Sequence, residues 1–476
     1  MKYDAEYFDK SLIKLSGYAE TKYVDCFSLK PSTIEECKKI IEIANNKNMT
    51  ICCKGNGLSY ADQITNKKNI VLNLNKINKI INWDSDNGVL KAQTGVTFGQ
   101  IFIKTMIDGW ALPSCPGSMD ITIGGAISNN VHGKDSYKMG NFGNNIISFK
   151  LLTSSGKTIT VTKNDDTDLF NAVISGMGLI GIIVEAKIKL KKIKYPFIKS
   201  KNIISKNISN TIEIFENNKE NSDFSVAWSD CFPDKDRTGR GFVSLAKWSE
   251  DKIDINEEKL LNSLIKNNTK SDYIFDILPA NFTWSILKYF ANRSSFKYLN
   301  KIFYNYNHFK NLLSLNKNRT ELFNEYNFIH NKLPDIKKIH KPKGFLEFQP
   351  LLPHKNIEKN FKEILSLCQK FKCESLLCGV KLHKKDDFLL SYQLDGYSMG
   401  IDIQVKGKKA ENIIAFSNDL FALVCDVGGK IYLAKDEYLT KNYFKKMYPD
   451  YVKFLKIKNK YDEKNIFSSD LFNRLF

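Results

Sequence analysis

Cys37, Ile40, Ile41 and Ala44 recur at three- and four-residue steps, the spacing that lines up side chains on one face of an α-helix. Ser32-Thr-Ile-Glu35 precedes them in the form of a capping box, so a helix is predicted to begin there. Thr97-Phe-Gly-Gln100 repeats the signal, and its helix is expected to stop at Gly109. Short apolar runs bounded by polar residues read as strands: Thr50 to Cys53, Ile70 to Leu74, Ile146 to Thr153, Thr158 to Thr162 and Gly181 to Leu190. Ser154-Ser-Gly156 between two of these predicts a hairpin, and Thr167 to Ile174 reads as a short helix. Lys191-Lys-Ile-Lys-Tyr-Pro196, charged and closed by proline, marks a domain boundary. From Asn217 to Lys341 the chain is rich in Asn, Lys and aromatics; strands are expected to about Trp248, then mostly helix with loops.

Two glycine-rich segments interrupt this pattern. Pro116 to Lys134, PGSMDITIGGAISNNVHGK, reads as irregular throughout, and a long irregular connection in a folded domain generally binds something. Glycine lets backbone N–H groups approach a ligand, and successive N–H groups in a turn form a concave anion site. The second segment, Lys54-Gly55-Asn56-Gly57-Leu58-Ser59-Tyr60, follows a predicted strand. It is not a Rossmann fingerprint, because the third glycine is Tyr60 and a strand follows where a helix must open. Alone it reads equally well as a plain β-turn.

Together with Ser175-Gly-Met-Gly-Leu-Ile-Gly-Ile-Ile-Val184, the two loops resemble the FAD-binding domain of the vanillyl-alcohol oxidase and p-cresol methylhydroxylase flavoproteins. Gly428 to Asp436, Met447-Tyr-Pro449, Asn465 to Asp470, Phe224 to Asp230, Phe345 to Gln349 and Val380-Lys381 are similar to the decaprenylphosphoryl-ribose oxidase branch of that family. The resemblance implies an α+β flavoprotein of two domains. A PCMH-type FAD-binding domain would span 1–193 and 430–476, and a substrate domain built on an antiparallel sheet with helices would span 194–429.

The same resemblance implies the site. Lys54, Gly55, Asn56, Gly57, Leu58 and Ser59 in the first loop would hold FAD. So would Gly117, Thr122, Ile123, Gly124, Gly125, Ser128, Asn129, His132 and Gly133 in the second, with Ile183 and Tyr432. Oxidising a secondary alcohol requires a C–H bond aimed at the flavin, a route for the hydroxyl proton and positive charge for the reduced flavin. His132 would face the flavin, as base or as positioning group, and Lys435 would bind the substrate and support negative charge. Tyr60 would stand at the substrate entrance, and Trp228, Gln349, Lys381 and Gly400 in the substrate pocket. Without the resemblance, His132 is a structural histidine, Lys435 a surface lysine and Trp228 a core aromatic. Leu58 and Thr122 occupy or neighbour the places where relatives with covalent flavin carry His or Cys, so FAD is expected to be non-covalent. Glu347 replaces a neutral amide of the family and adds negative charge near the substrate; Gly400 replaces a cysteine. Asp135-Ser136 also departs from the family's pattern after His132-Gly-Lys134.

With 476 residues, 42% of them hydrophobic, the chain is large enough for two cores. Its net charge of +19 is carried almost wholly by Lys spread along the chain, with Arg only at 237, 240, 293, 319 and 474. That distribution argues against nucleic acid and is compatible with approach to anionic headgroups. Ten cysteines without a CxxC pair read as reduced thiols, and no metal site is expected. The absence of a long apolar run and of a signal-peptide core in MKYDAEYFDKSLIKLSGYAETKYV predicts a cytoplasmic protein, at most peripheral to the inner face of the membrane. The leading expectation is oxidation of a sugar secondary hydroxyl to a ketone on a polyprenyl-phosphate pentose or related glycan precursor. This would be the first half of an epimerisation that a short-chain reductase partner completes. An aldonolactone or alditol-type sugar oxidase and a flavin-binding protein without turnover are the alternatives.

Overall fold

The computed structural model describes residue 8 and residues 10–233, 235–252, 256–268, 273–274, 278–313 and 319–476. Residues 1–7 and 9 of the segment read for a signal peptide, and residues 234, 253–255, 269–272, 275–277 and 314–318, lie outside the described residues.

Strands β1 (Leu12–Ser16), β2 (Tyr23–Leu29), β3 (Ile51–Lys54) and β4 (Ile70–Asn73) form a sheet in the order β1-β2-β4-β3. β4 runs parallel to both β2 and β3, and β1 is antiparallel. Helix α1 (Ile34–Lys47) buries Cys37, Ile40, Ile41 and Ala44 in the same apolar cluster as Ile51, Ile70 and Leu72, as its periodicity predicts. Its cap lies one residue later than expected. The Thr33 side chain accepts the Glu36 N–H at 3.1 Å, and the Glu36 carboxylate takes the Ser32 N–H at 2.7 Å. Adjacent hydroxyls and adjacent acids make two registers available, and the sequence alone does not choose between them.

Strands β5 (Ile80–Asp84), β6 (Val89–Gln93), β7 (Ile146–Leu152), β8 (Thr158–Thr162) and β9 (Ile182–Lys189) form an antiparallel sheet in the order β5-β6-β9-β7-β8. The expected hairpin pairs Ser148 with Thr162 through Leu152 with Thr158, and Gly156 turns it at φ 77°. Helix α2 (Phe98–Thr105) carries the full capping box on Thr97 and Gln100. The stretch expected to be irregular from Pro116 to Lys134 instead contains helix α3 (Ile123–Ser128). Thr122 caps it by accepting the Gly125 N–H, and Ile123, Ala126 and Ile127 are buried. Two glycines disfavour a helix, but a Cβ at Gly124 would stand 1.9 Å from Thr94 Oγ1, so close packing overrides propensity. Helix α4 (Thr167–Val173) follows β8.

The third sheet holds nine strands: β10 (Phe197–Ser205), β11 (Phe224–Ser229), β12 (Gly241–Trp248), β13 (Arg319–Leu322), β14 (Phe345–Phe348), β15 (Pro350–Pro353), β16 (Cys378–His383), β17 (Gly396–Gln404) and β18 (Lys430–Ile431). Their order is β13-β10-β12-β11-β16-β17-β15-β18, with β14 also paired to β17, and every pair is antiparallel. Helices α5 (Ile208–Asn218), α6 (Ala280–Phe290), α7 (Arg293–Leu312), α8 (Ile357–Lys370) and α9 (Ala410–Asp426) accompany it. Side chains alternate between faces along a strand. Tyr397 meets Phe215 of α5, and Phe348 meets Phe416 and Phe421 of α9. The alternate positions, Glu347, Lys381, His383, Gly400 and Asp402, therefore share the opposite face.

The far end of the chain returns to the beginning. Ile51 of β3 bridges Phe467 in parallel, and its amide donates to Ile466 O at 2.6 Å. Arg474 pairs with Asp62 and Asp436. Lys458, fully buried, donates to Leu179 O, Phe467 O and the Asp462 carboxylate.

Candidate active site

The first glycine loop leaves β3 and lies against the second. A Cβ on Gly55 would stand 2.2 Å from Thr122 Oγ1, and the Asn56 amide donates to Asp120 O at 2.8 Å. The backbone N–H groups of Gly55, Asn56, Gly57, Leu58 and Ser59 donate to no described residue, so a run of amides stands available to an anion. Lys54 folds over Gly57, which has φ 76°, and burial lowers its pKa. Ser128 at the end of α3 lies close to Gly176, Gly178 and Ile183. Ser175 and Met177 hold φ of 67° and 54° there, tied to Ile127 O and Ser128 O; non-glycine residues in that region mark an over-determined loop of the kind found at ligand clamps. Free amides and glycines without room for a Cβ fit the diphosphate of FAD. FAD binding is the part expected of Lys54 to Ser59, Gly117, Thr122 to Gly125, Ser128, Asn129 and Ile183.

Beyond α3 the chain delivers His132 into a cluster of rings. Its centroid lies 4.9 Å from His383, 5.4 Å from Tyr432 and 5.9 Å from Tyr392. His132 Nε2 lies 3.0 Å from the Gln349 amide nitrogen, while Nδ1 is buried with no partner among the described residues. Burial above all, aided by Lys381, His383 and Lys435, holds the His132 pKa well below its ordinary 6.5, so the ring is neutral. Tyr432 anchors the same region by donating its hydroxyl to Asn129 O at 3.1 Å. Gly133 has no room for a Cβ beside Asp135, which accepts the Ser114 N–H at 2.8 Å. Burial raises Asp135 to about 6.

Lys435 is largely buried, its side chain only 20% exposed. Its Nζ lies 2.6 Å from Glu347 Oε2 and 3.6 Å above the Tyr60 ring centroid. Tyr60 in turn packs on Tyr18 and Phe345, and its N–H donates to Ala434 O, fastening the first loop to the Lys435 segment. The negative charge that Glu347 was expected to add near the substrate is paired with Lys435. Asp402 stands directly opposite Glu347 across the strand pair and hydrogen bonds to it. Burial first, and then Glu347, push the Asp402 pKa well above its usual 3.8. Lys435 offsets the Glu347 carboxylate it pairs with.

Lys381 lies on the same sheet face, its pKa lowered to about 8 by burial and then by Lys435, against the pull of Glu347 and Asp135. Gly379 pairs with Gly400. A Cβ on Gly379 would meet nothing within 4 Å, and one on Gly400 would touch only Glu347 Oε1 at 3.2 Å and Gly379 O at 3.8 Å. The paired glycines leave a bare floor beside Lys381. Trp228 packs on Phe242 and Phe303 and sits directly across from Gly379 in β11.

Three groups were not expected from the sequence. His383 donates or accepts through Nε2 to Ser398 Oγ at 2.8 Å, and burial lowers its pKa to about 3. Asp402 stands opposite Glu347 on the neighbouring strand. His330 contacts Gly117, where a Cβ would stand 3.0 Å from its Cδ2. The His330 ring is exposed, and the protein around it lowers its pKa to about 4. Lys381 and His383, Glu347 and Gln349, and Gly400 and Asp402 are each two residues apart on strands, so strand alternation was the signal that would have added His383 and Asp402.

Residues 27–162 match the FAD binding domain family, and residues 352–475 match the D-arabinono-1,4-lactone oxidase family. The chain is similar to a decaprenylphosphoryl-beta-D-ribose oxidase of Mycolicibacterium smegmatis, 28% identical across 98% of each chain. It is also similar to a putative D-arabinono-1,4-lactone oxidase of Neurospora crassa, 31% identical over 34% of this chain and 29% of that one. An L-gulonolactone oxidase of Scyliorhinus torazame is 27% identical over 33% of this chain and 36% of its own. The FAD-domain match covers both glycine loops, and the whole-length similarity takes in the ring cluster and Lys435. This chain is therefore an FAD-dependent oxidoreductase acting on CH–OH groups and belongs to the PCMH-type FAD-linked oxidases.

Proposed function

We propose that this enzyme oxidises a secondary hydroxyl of a pentose carried on a polyprenyl phosphate, or of a related glycan precursor, to a ketone, and that a separate short-chain reductase completes an epimerisation. The observation that carries this reading is the pair of cations beside the bare floor. Glu347 is paired with Lys435 at 2.6 Å, so Lys381 on the same sheet face is left to meet a phosphate. The similarity of the chain, end to end, to a decaprenylphosphoryl-ribose oxidase supports the same substrate class.

FAD held by the two glycine loops would supply the two-electron acceptor for oxidation of the alcohol. The protein supplies the rest. His132 Nδ1 is one of the unpartnered polar atoms of the ring cluster; with the Gln349 amide oxygen turned toward Nε2–H, Nδ1 receives a hydrogen bond from the substrate hydroxyl. A ring held neutral by burial stores a proton poorly, so we assign His132 to orientation. Lys435 holds the substrate and favours negative charge as the C–H bond breaks, and Tyr60 beneath it fixes the ammonium. Trp228, Gln349 and Gly400 complete the pocket. FAD is bound non-covalently, the two domains divide as 1–193 with 430–476 and 194–429, and the enzyme works in the cytoplasm.

A second reading, an aldonolactone oxidase, is favoured by the match of residues 352–475 to that family. A neutral lactone gives Lys381 no charge to meet. Anaerobic bleaching of the flavin with lipid-linked pentoses, free sugars and aldonolactones decides between them. Bleaching by the lipid-linked pentose alone is expected. Bleaching only by lactones would establish the second reading, and no bleaching by any would leave a flavin binder without turnover.

A further inference from the structure

Helix α7 is amphipathic the wrong way round for a soluble surface. Phe296, Asn300 and Asn307 face inward, and the Asn300 amide reaches Asp230 and Ser375 O. Tyr298, Ile302, Tyr306, Phe309 and Leu313 follow one another at helical spacing along the opposite face, and each is about half exposed or more, Tyr298 at 65% and Phe309 at 58%. Helix α6 continues the surface with Phe282 at 67% and Tyr289 at 71%. An apolar patch of this extent on a folded protein marks an interaction site.

Its charge identifies the partner. From Leu278 to Leu313 there is no Asp or Glu, against Lys288, Arg293, Lys297, Lys301 and Lys310. Lys310 lies 4.3 Å over the Tyr306 ring and Lys288 lies 4.9 Å over Tyr289, so cations border the aromatics. A second copy docked isologously would set these cations against themselves, which is repulsive. Tyr, Phe and Leu on one face with Lys beside them is the composition that settles into the headgroup region of an anionic bilayer. No described helix is long and apolar enough to cross a membrane, so contact is limited to the surface.

We propose that α6 and α7 form a docking face for an anionic lipid bilayer. Phe303 on the inner side of α7 meets Trp228 of β11 at 4.9 Å, so the docked face lies one helix away from the sheet face that carries Lys381. Where the function proposed above holds, a lipid-linked sugar reaches that face without its tail leaving the membrane. The docking itself does not depend on the substrate.

The test is vesicle flotation of the FAD-loaded enzyme, comparing phosphatidylcholine vesicles with and without phosphatidylglycerol. The wild type is expected to float with the anionic vesicles and to be released by salt. Lys297→Asn/Lys301→Asn/Lys310→Asn should weaken binding by roughly fivefold per lysine, and Tyr298→Ser/Ile302→Ser/Phe309→Ser should abolish flotation; both variants should keep the flavin spectrum because all six side chains lie on or beside the outer face. Flotation of the variants equal to wild type, or a wild type that stays below both vesicle types, would overturn the proposal. A wild-type dimer by light scattering that these substitutions convert to monomer would overturn it in favour of self-association. None of these results depends on turnover, so failure here is distinct from failure of the substrate assignment.

Discussion

Lys435 is held by a carboxylate on one side and an aromatic face on the other, an arrangement that fixes an ammonium without quenching it. Replacing it by Ala should leave FAD bound, because the cradle lies on other segments, and slow flavin reduction by at least about a hundredfold. Arg should rescue only in part, since a planar fork does not reproduce a compact ammonium. Stopped-flow reduction rates check both, and near-wild-type reduction in the Ala variant would remove Lys435 from the chemistry. Lys381 gives a pH signature. Its pKa in the folded protein is about 8 against 10.5 free, so its charge is lost as pH rises through about 8. KM for a phosphate-bearing substrate should climb there while kcat changes less, and Lys381→Met should show the high KM at every pH. The stability sign is the reverse: the unfolded chain holds this proton up to 10.5, so between the two values unfolding takes up a proton and stability rises with pH. At this scale, His132 and Lys435 were legible through the motifs around them. His330 was not, because a lone histidine in a stretch of Asn, Lys and aromatics has no motif, and only the fold brings it to Gly117.

Helix α3 shows how tertiary packing decides an element that local propensity argues against. Its two glycines are asymmetric. Gly124 is packed against Thr94, so Gly124→Ala should destabilise the protein by about 1–3 kcal/mol through overpacking, read as a fall in Tm. A Cβ at Gly125 meets only Thr122 Oγ1 at 3.2 Å, so Gly125→Val should fold and yet lose FAD, because the added branches fill the space of the ligand. A folded Val variant with full FAD occupancy would show that the cradle is elsewhere. The hairpin and the helix faces were readable because their apolar periods repeat over several residues. The cap of α1 was off by one because Ser32-Thr33 and Glu35-Glu36 offer the same chemistry twice, and α3 was missed because its glycines are explained only by neighbours distant in sequence.

Across the molecule, neither glycine loop offers a thiol or imidazole at the places where relatives attach flavin, so acid precipitation should release all the FAD into the supernatant. Flavin left in the pellet would contradict this. Because FAD binds the folded chain alone, stripping it should lower stability by roughly 3 kcal/mol relative to a solution at a hundred times the dissociation constant, measured as a ligand-dependent Tm. The two-domain plan was legible only through the resemblance, since the strands that complete the large sheet come from both sides of long helical stretches.

The pairing of Ile51 with Phe467 has a consequence for how the protein is made. The open edge of β3, from which the first glycine loop springs, waits during synthesis for some four hundred residues, until the segment around Phe467 has left the ribosome. Until then the nascent chain carries an unpaired strand edge, the feature that invites pairing with other chains. The expected outcome is that cofactor capture waits for the close of translation, so a chain stopped short of Phe467 should emerge colourless however much of its FAD-domain sequence it contains.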